Sequence, residues 1–227
     1  MISSSQKRSD SLKGKHLLIN AGPTRENIDP VRFISNHSSG KMGIAIAQEA
    51  SGMGAEVTLV LGPVSIVPEG KNINVINVVT AAEMASECIR IFPCCDIAIL
   101  AAAVADFTPE NYSPVKVKKS GEGLVIRLKP TVDIAIELGM MKRTDQLIAG
   151  FALETDNELE NARKKMLRKN MDIIVLNSLR DEGAGFGHDT NIITIIDKYN
   201  NIDKFGLKSK QEAAADILGK IIRMTMK

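Results

Sequence analysis

Tryptophan is absent from this sequence, and six Phe and two Tyr are all the aromatic side chains among its 227 residues. So few flat rings make poor platforms for stacking the bases of a single strand. An excess of charge is lacking too. Lys and Arg number 29 against 27 Asp and Glu, a formal net charge of +2, which gives no whole-molecule field to hold a phosphate backbone. No nucleic-acid partner is expected. Three cysteines, Cys88, Cys94 and Cys95, are too few for a disulfide framework and fit a reducing, cytoplasmic setting. The longest apolar run, Ile97 to Ala105, is too short to span a bilayer, and the opening MISSSQKRSDSLKGK lacks the apolar core of a signal peptide. No membrane partner is expected. What is present is 44% hydrophobic residues, enough for one sizeable core. An intracellular globular enzyme is the class these absences leave.

Residues 1–14 are polar and aperiodic and read as a flexible tail, with one domain over 15–227. From His16 onward short apolar strands alternate with helical stretches. HLLINA (16–21), AEVTLVLG (55–62), NVINVV (74–79) and DIAILAAAVAD (96–106) read as strands, the last fully buried. GKMGIAIAQEASGMG (40–54) has helical spacing and ends in glycines. TAAEMASECIRI (80–91) opens with Thr80 three residues before Glu83, a capping box. The second half continues with strands at 124–129, 146–152, 172–177 and 191–197, and helices near 132–142, near 156–169 and from 209. Strands apolar on both faces and joined through helices predict an α/β fold: a Rossmann-like, mostly parallel sheet with helices on both faces. Residues 106–123, with Pro109, Pro114, Gly121 and Gly123, interrupt the alternation as a loop or flap insertion.

Ligands of such sheets bind beyond the carboxyl ends of the strands. The 18-residue connection after the first strand is long enough to suggest function. It delivers Ser38, Ser39 and Gly40 to a helix N-terminus, as a phosphate site or as an ordinary serine cap. A Walker A loop is excluded because Ser35 and Met42 stand where Gly and Ser/Thr are needed, and AGPTREN is not the glycine turn of the dinucleotide fingerprint. Ala101, Ala102 and Ala103 suit core packing or close approach of a ligand. Asp106, at the end of the buried run, serves a ligand or a turn. KVKK (116–119) is a solvated charge run or a lysine clamp on a triphosphate. In 154–170, Glu154, Asp156, Glu158 and Glu160 precede Arg163, Lys164, Lys165, Arg168 and Lys169, which suits a helix dipole. Lys165 and Lys169 nevertheless share a face, where an anion between them would relieve repulsion. Tyr112 and Lys116 have the spacing of a dehydrogenase pair, but Pro114 between them breaks the helix it needs. His16, His37 and His188 show no metal-ligand spacing, and Cys94-Cys95 read as structural.

AGPTRENIDPVRFISNHSSGKMG (21–43), with AAAVADF, KVKK, GFALET and LRKNMDIIVLN, resembles phosphopantothenate–cysteine ligase, also called phosphopantothenoylcysteine synthetase. The similarity runs in order from about residue 15 to the C-terminus. It implies a ligase of coenzyme A biosynthesis that joins 4′-phosphopantothenate to L-cysteine through an acyl-nucleotidylate. CTP, the nucleotide of bacterial members, is implied rather than ATP, with Mg²⁺, release of pyrophosphate and CMP, and a homodimer with flap elements crossing its interface. Many bacterial members are fused to a flavin-dependent decarboxylase; nothing here looks like that half. The resemblance assigns Lys116 to acyl-nucleotidylate formation and Asp106, Phe151, Lys165, Lys169 and the stretch Val132, Asp133, Ile134, Ala135 to the nucleotide. It assigns Arg32, Asn36 and Ala103 to the acyl intermediate, beside Ala102 and the Ser38–Gly40 turn as substrate-binding positions. Where the family has Pro-Asp-Ile, this chain has Val132-Asp133-Ile134, with its proline at Pro130. The rival readings are an NAD(P)-binding oxidoreductase and a non-catalytic nucleotide- or protein-binding module.

Overall fold

A computed structural model describes residues 10–225 except 120, 122, 155–156 and 179–188. His188 and Asp156 therefore lie outside the described residues, as do residues 1–9 of the expected tail. In the first half, β1 (His16–Ala21), β2 (Arg25–Asn27) and β3 (Phe33–Ser35) precede α1 (Lys41–Gly52); β4 (Glu56–Leu61) and β5 (Ile73–Asn77) precede α2 (Ala81–Ile91). Then come β6 (Ile97–Leu100), β7 (Phe107–Pro109), β8 (Leu128–Pro130) and α3 (Ile134–Met141). The second half runs β9 (Leu147–Glu154), α4 (Glu158–Arg168), β10 (Ile173–Ser178), β11 (Thr190–Asn191), β12 (Ile193–Asp197), β13 (Ile202–Lys204), β14 (Lys208–Ser209) and α5 (Lys210–Thr225).

Eight strands form one sheet in the order β13-β12-β10-β9-β6-β1-β4-β5. The six from β10 to β5 are parallel; β12 and β13 are antiparallel. Strand alternation divides the core. Leu17, Ile19 and Ala21 pack beneath α1 and α5, while Leu18 packs with α2, α3 and α4 on the other face. The Rossmann-like expectation holds, with an antiparallel edge. The turn at Tyr199–Asn201 makes that edge: Asn200 sits at φ 70°, and the Asp197 carboxylate accepts the Tyr199 and Asn201 N–H groups.

Three expectations need correction. The strand expected over 96–106 stops at Leu100: beyond it the Ala101 and Ala103 N–H groups still reach the Asn20 and Gly22 carbonyls and Ala103 keeps a single parallel bridge to Pro23, but Ala102 donates to Asn20 Oδ1 and Ala105 to Thr24 Oγ1. The strand expected over 124–129 contributes only Leu128–Pro130, and these pair with Phe107–Pro109 outside the main sheet. Leu124, Val125 and Leu128 are exposed, so their alternation did not encode burial. The expected loop or flap at 106–123 is thus framed by a small ribbon. At the start of the chain, Leu12 is buried in the core and its N–H donates to the Met53 carbonyl at 2.9 Å, so the turn at 10–14 belongs to the fold. One apolar side chain among polar neighbours docks it.

The capping box at α2 is complete: Thr80 Oγ1 accepts the Glu83 N–H, and Glu83 accepts the Thr80 N–H. Thr80→Ala is expected to lower stability by about 1 kcal/mol in urea unfolding, with the m-value unchanged. Cys88 and Cys95 are buried, burial pushes both thiols up to about 12, and neither lines the cavities described next.

Candidate functional site

The carboxyl ends of β1, β6 and β9 open onto a cleft. α1 begins there without a side-chain cap. Its N-cap is Gly40 in the left-handed region, φ 72°, where a Cβ would meet Val64 Cγ1 at 2.9 Å. One turn later a Cβ on Gly43 would meet Ala21 Cβ at 2.5 Å, so the helix lies directly on β1. Neither Ser38 nor Ser39 caps α1, which excludes the serine-cap reading. Ser38 Oγ instead accepts the Gly40 N–H at 3.3 Å. An uncapped helix start favours an anionic group.

A cavity of about 490 Å³ adjoins this helix start and brings together Asn36, Ser38, Ser39, Gly40, Ala102 and Ala103. Asn36 Nδ2 donates to the Ala103 and Val104 carbonyls at 3.2 and 3.0 Å, tying the long connection to the end of β6. A second cavity of about 290 Å³ brings together Val132, Asp133, Ile134, Ala135, Phe151 and Lys169. Asp106 and Lys165 border both, so the two cavities are continuous. A third hollow beyond them is lined by Arg168, Lys164, Lys165 and Lys169.

Asp133 caps α3 through a bond from the Ile136 N–H at 3.3 Å, and its other oxygen pairs with Lys169 Nζ at 2.7 Å. Lys165 Nζ donates to the Phe151 carbonyl at 3.1 Å. The two lysines thus stand on one helix face with separate anchors, and their charges face the same cavity.

An uncapped helix start and a lysine-lined hollow are thus joined past the Asp106 carboxylate, and comparison with known proteins decides the family. Residues 12–224 match the model of the DNA/pantothenate metabolism flavoprotein C-terminal domain. The chain belongs to this family. It is 44% identical over 220 residues to the coenzyme A biosynthesis bifunctional protein CoaBC of Bacillus subtilis (strain 168), covering 97% of this chain and 54% of that one. It is 63% identical over 213 residues to a protein of an unknown prokaryotic organism named cysteine/cysteine sulfinic acid decarboxylase, covering 94% and 59%. The chain therefore spans little more than half the length of these relatives. The crystal structure of the C-terminal domain of a CoaBC protein superposes with a TM-score of 0.82 at 42% identity, covering 95% of this chain and 98% of that one.

Two assigned positions stand apart in this member of the flavoprotein C-terminal domain family. Lys116 and Arg32 line none of the three cavities. Lys116 is exposed in an irregular segment. Arg32 Nη2 pairs with Asp29 at 2.8 Å, and its Nε is buried without a partner.

The cavities also hold residues that sequence reasoning missed. Asn20 is buried and borders the smaller cavity; as the one polar side chain in LLINA it was a visible signal. Asn177, Asn191, Lys41 and Lys210 border the larger one. Asn191 Oδ1 is buried without a hydrogen bond. Lys210 is buried, and desolvation, then the nearby Lys41 charge, lower its pKa. It opens the last helix, where a lysine reads as solvated, and no periodicity could mark it.

Among the described residues no group of three or more His, Cys, Asp or Glu side chains could hold a metal ion, and no helix is long and apolar enough to cross a membrane.

Proposed function

We propose that the chain is a phosphopantothenate–cysteine ligase of coenzyme A biosynthesis, acting through an acyl-cytidylate. The observation that carries the reading is the continuous cleft: an uncapped helix start at one end, a lysine-lined hollow at the other, and Asp106 between. Membership of a family whose relatives are named for coenzyme A biosynthesis supports it. The oxidoreductase alternative is not favoured by that membership.

In this reading the triphosphate of CTP lies along Lys165, Lys169 and Arg168, with Asp106, Phe151 and the Val132–Ala135 turn around the nucleoside. The acid enters with its 4′-phosphate toward Ser38, Ser39 and Gly40 and its carboxylate toward Ala102, Ala103 and Asn36. A carboxylate oxygen attacks the α-phosphorus, and the bond to pyrophosphate breaks. The cysteine amine then attacks the activated carbonyl, the bond to CMP breaks, and the amine proton is lost. Neither step needs a protein nucleophile; both need alignment and neutralisation of growing negative charge. Mg²⁺ would supply part of that neutralisation. It fits a site with few carboxylates, because such ions are held by one or two carboxylates and the substrate phosphates, here Asp106 with the triphosphate. Lys116 reaches the cleft by movement of its loop or from a second copy in a homodimer.

Pyrophosphate release from 4′-phosphopantothenate, with CTP or ATP and with or without cysteine, tests the reading. Release with CTP without cysteine supports it. Carbon dioxide from cysteine or cysteine sulfinate, with no pyrophosphate, contradicts it. Lys169→Met is expected to raise the KM for CTP about tenfold, through loss of one charge partner worth about 1.4 kcal/mol, while leaving the KM for the acid unchanged.

A further inference from the structure

One buried carboxylate is used by none of the roles above. Asp29 lies in the loop between β2 and β3 and is only 1% exposed. Its Oδ1 accepts the Val31 and Arg32 N–H groups, both at 2.8 Å. Its Oδ2 accepts the Val117 N–H at 3.1 Å and pairs with the Arg32 guanidinium at 2.8 Å. Arg32 Nη2 in turn donates to the Val117 carbonyl. The residue directly after Lys116 is thus gripped at both its N–H and its C=O from a loop more than eighty positions earlier. A second tie holds the other end of the segment, where the Ser113 N–H donates to the Ile28 carbonyl at 3.0 Å.

These contacts would be wasteful for an ordinary surface loop. Lys116 and Lys118 on either side of Val117 are exposed, and the segment has no strand partner of its own. A buried carboxylate is costly to place unless its donors are complete, and charge-assisted bonds are the strong ones. Burial acts to raise the Asp29 pKa, but the N–H groups of Val31, Arg32 and Val117 and the Arg32 charge hold it at about 2. The carboxylate is therefore ionised wherever the protein works.

We infer that Asp29 is a positioning residue: it clasps Val117 to Arg32, so that Lys116 moves only together with the Arg32 hairpin. The inference rests on the ligase reading for the task of Lys116, but the clasp itself is a physical claim. It changes the division of labour. Arg32 and Lys116, assigned to different half-reactions by resemblance, become one mechanical unit.

The test compares Asp29→Asn, which removes the charge, with Val117→Pro, which keeps the carboxylate but removes the N–H at the far side of the clasp and stiffens the backbone there. Amide exchange is followed across the chain, alongside pyrophosphate release. Both variants are expected to speed exchange in the segment 113–119 about tenfold, the loss of one bond to a charged group, with the peptides of β1 and β4 unchanged. The kcat for pyrophosphate release is expected to fall by up to about a hundredfold with the KM for CTP within about twofold, as a displaced but intact lysine requires. A merely structural aspartate would speed exchange throughout the chain and lower kcat only with loss of folded protein. That pattern in Asp29→Asn, or an unchanged segment or full kcat in Val117→Pro, overturns the proposal. If the unaltered protein releases no pyrophosphate the ligase reading fails, while the exchange data still decide the clasp.

Discussion

Lys116→Gln is expected to lower pyrophosphate release from 4′-phosphopantothenate and CTP by about a hundredfold or more, equally with and without cysteine. The ammonium is a compact charge on a long stem, and in the proposed reaction it stands beside the phosphate that gains charge as pyrophosphate departs. Glutamine keeps the length and a donor but no charge. Because Lys116 lines neither cavity, its loss leaves the cleft walls as they are, and CTP binding should change little. Rapid-quench assays of pyrophosphate and a fluorescence titration of CTP separate the two effects. A raised Kd for CTP with an undiminished single-turnover rate would place Lys116 in binding.

Asn36→Asp should act on the other half. Nδ2 of Asn36 bridges the Ala103 and Val104 carbonyls and sets the wall of the larger cavity where the long connection meets the end of β6. Aspartate cannot donate there, and its charge would face two carbonyl oxygens and the anionic intermediate. Acyl-cytidylate should still form, with a pyrophosphate burst, and then persist; the cysteine step should slow by about a hundredfold. Mass spectrometry of quenched reactions would show an ion for phosphopantothenoyl cytidylate in the variant and phosphopantothenoylcysteine in the parent. If the burst is lost as well, the division between Asn36 and Lys116 is wrong.

The parts of the fold that sequence made legible were those where one physical signal acts alone. β1, β4 and α2 follow from runs buried on both faces and from a complete capping box. Strand ends were not legible, because Leu100 is followed by more alanines and the Asn20 and Thr24 side chains that take the Ala102 and Ala105 N–H groups are set far away in sequence. The ribbon at Leu128–Pro130 misled for the opposite reason: apolar alternation there faces solvent. Within the site, the residues on the main connections converge on the cleft. Arg32 and Lys116 do not, since the Asp29 bonds that hold them span the chain and leave no local pattern. The opening near-neutrality also concealed the arrangement. Basic charge is gathered at Lys164, Lys165, Arg168 and Lys169 around one hollow, where Asp133 pairs with Lys169 and Glu160 with Lys164.

In the proposed reaction the acid is activated on its carboxylate by transfer of a cytidylyl group. Label placed in that carboxylate as ¹⁸O follows the bond directly. Attack on the α-phosphorus followed by displacement by the cysteine amine carries one labelled oxygen into CMP, so CMP is expected to be heavier by one ¹⁸O for each amide formed. Label in inorganic phosphate, with CDP as the other product, or no label in any nucleotide product, would contradict it.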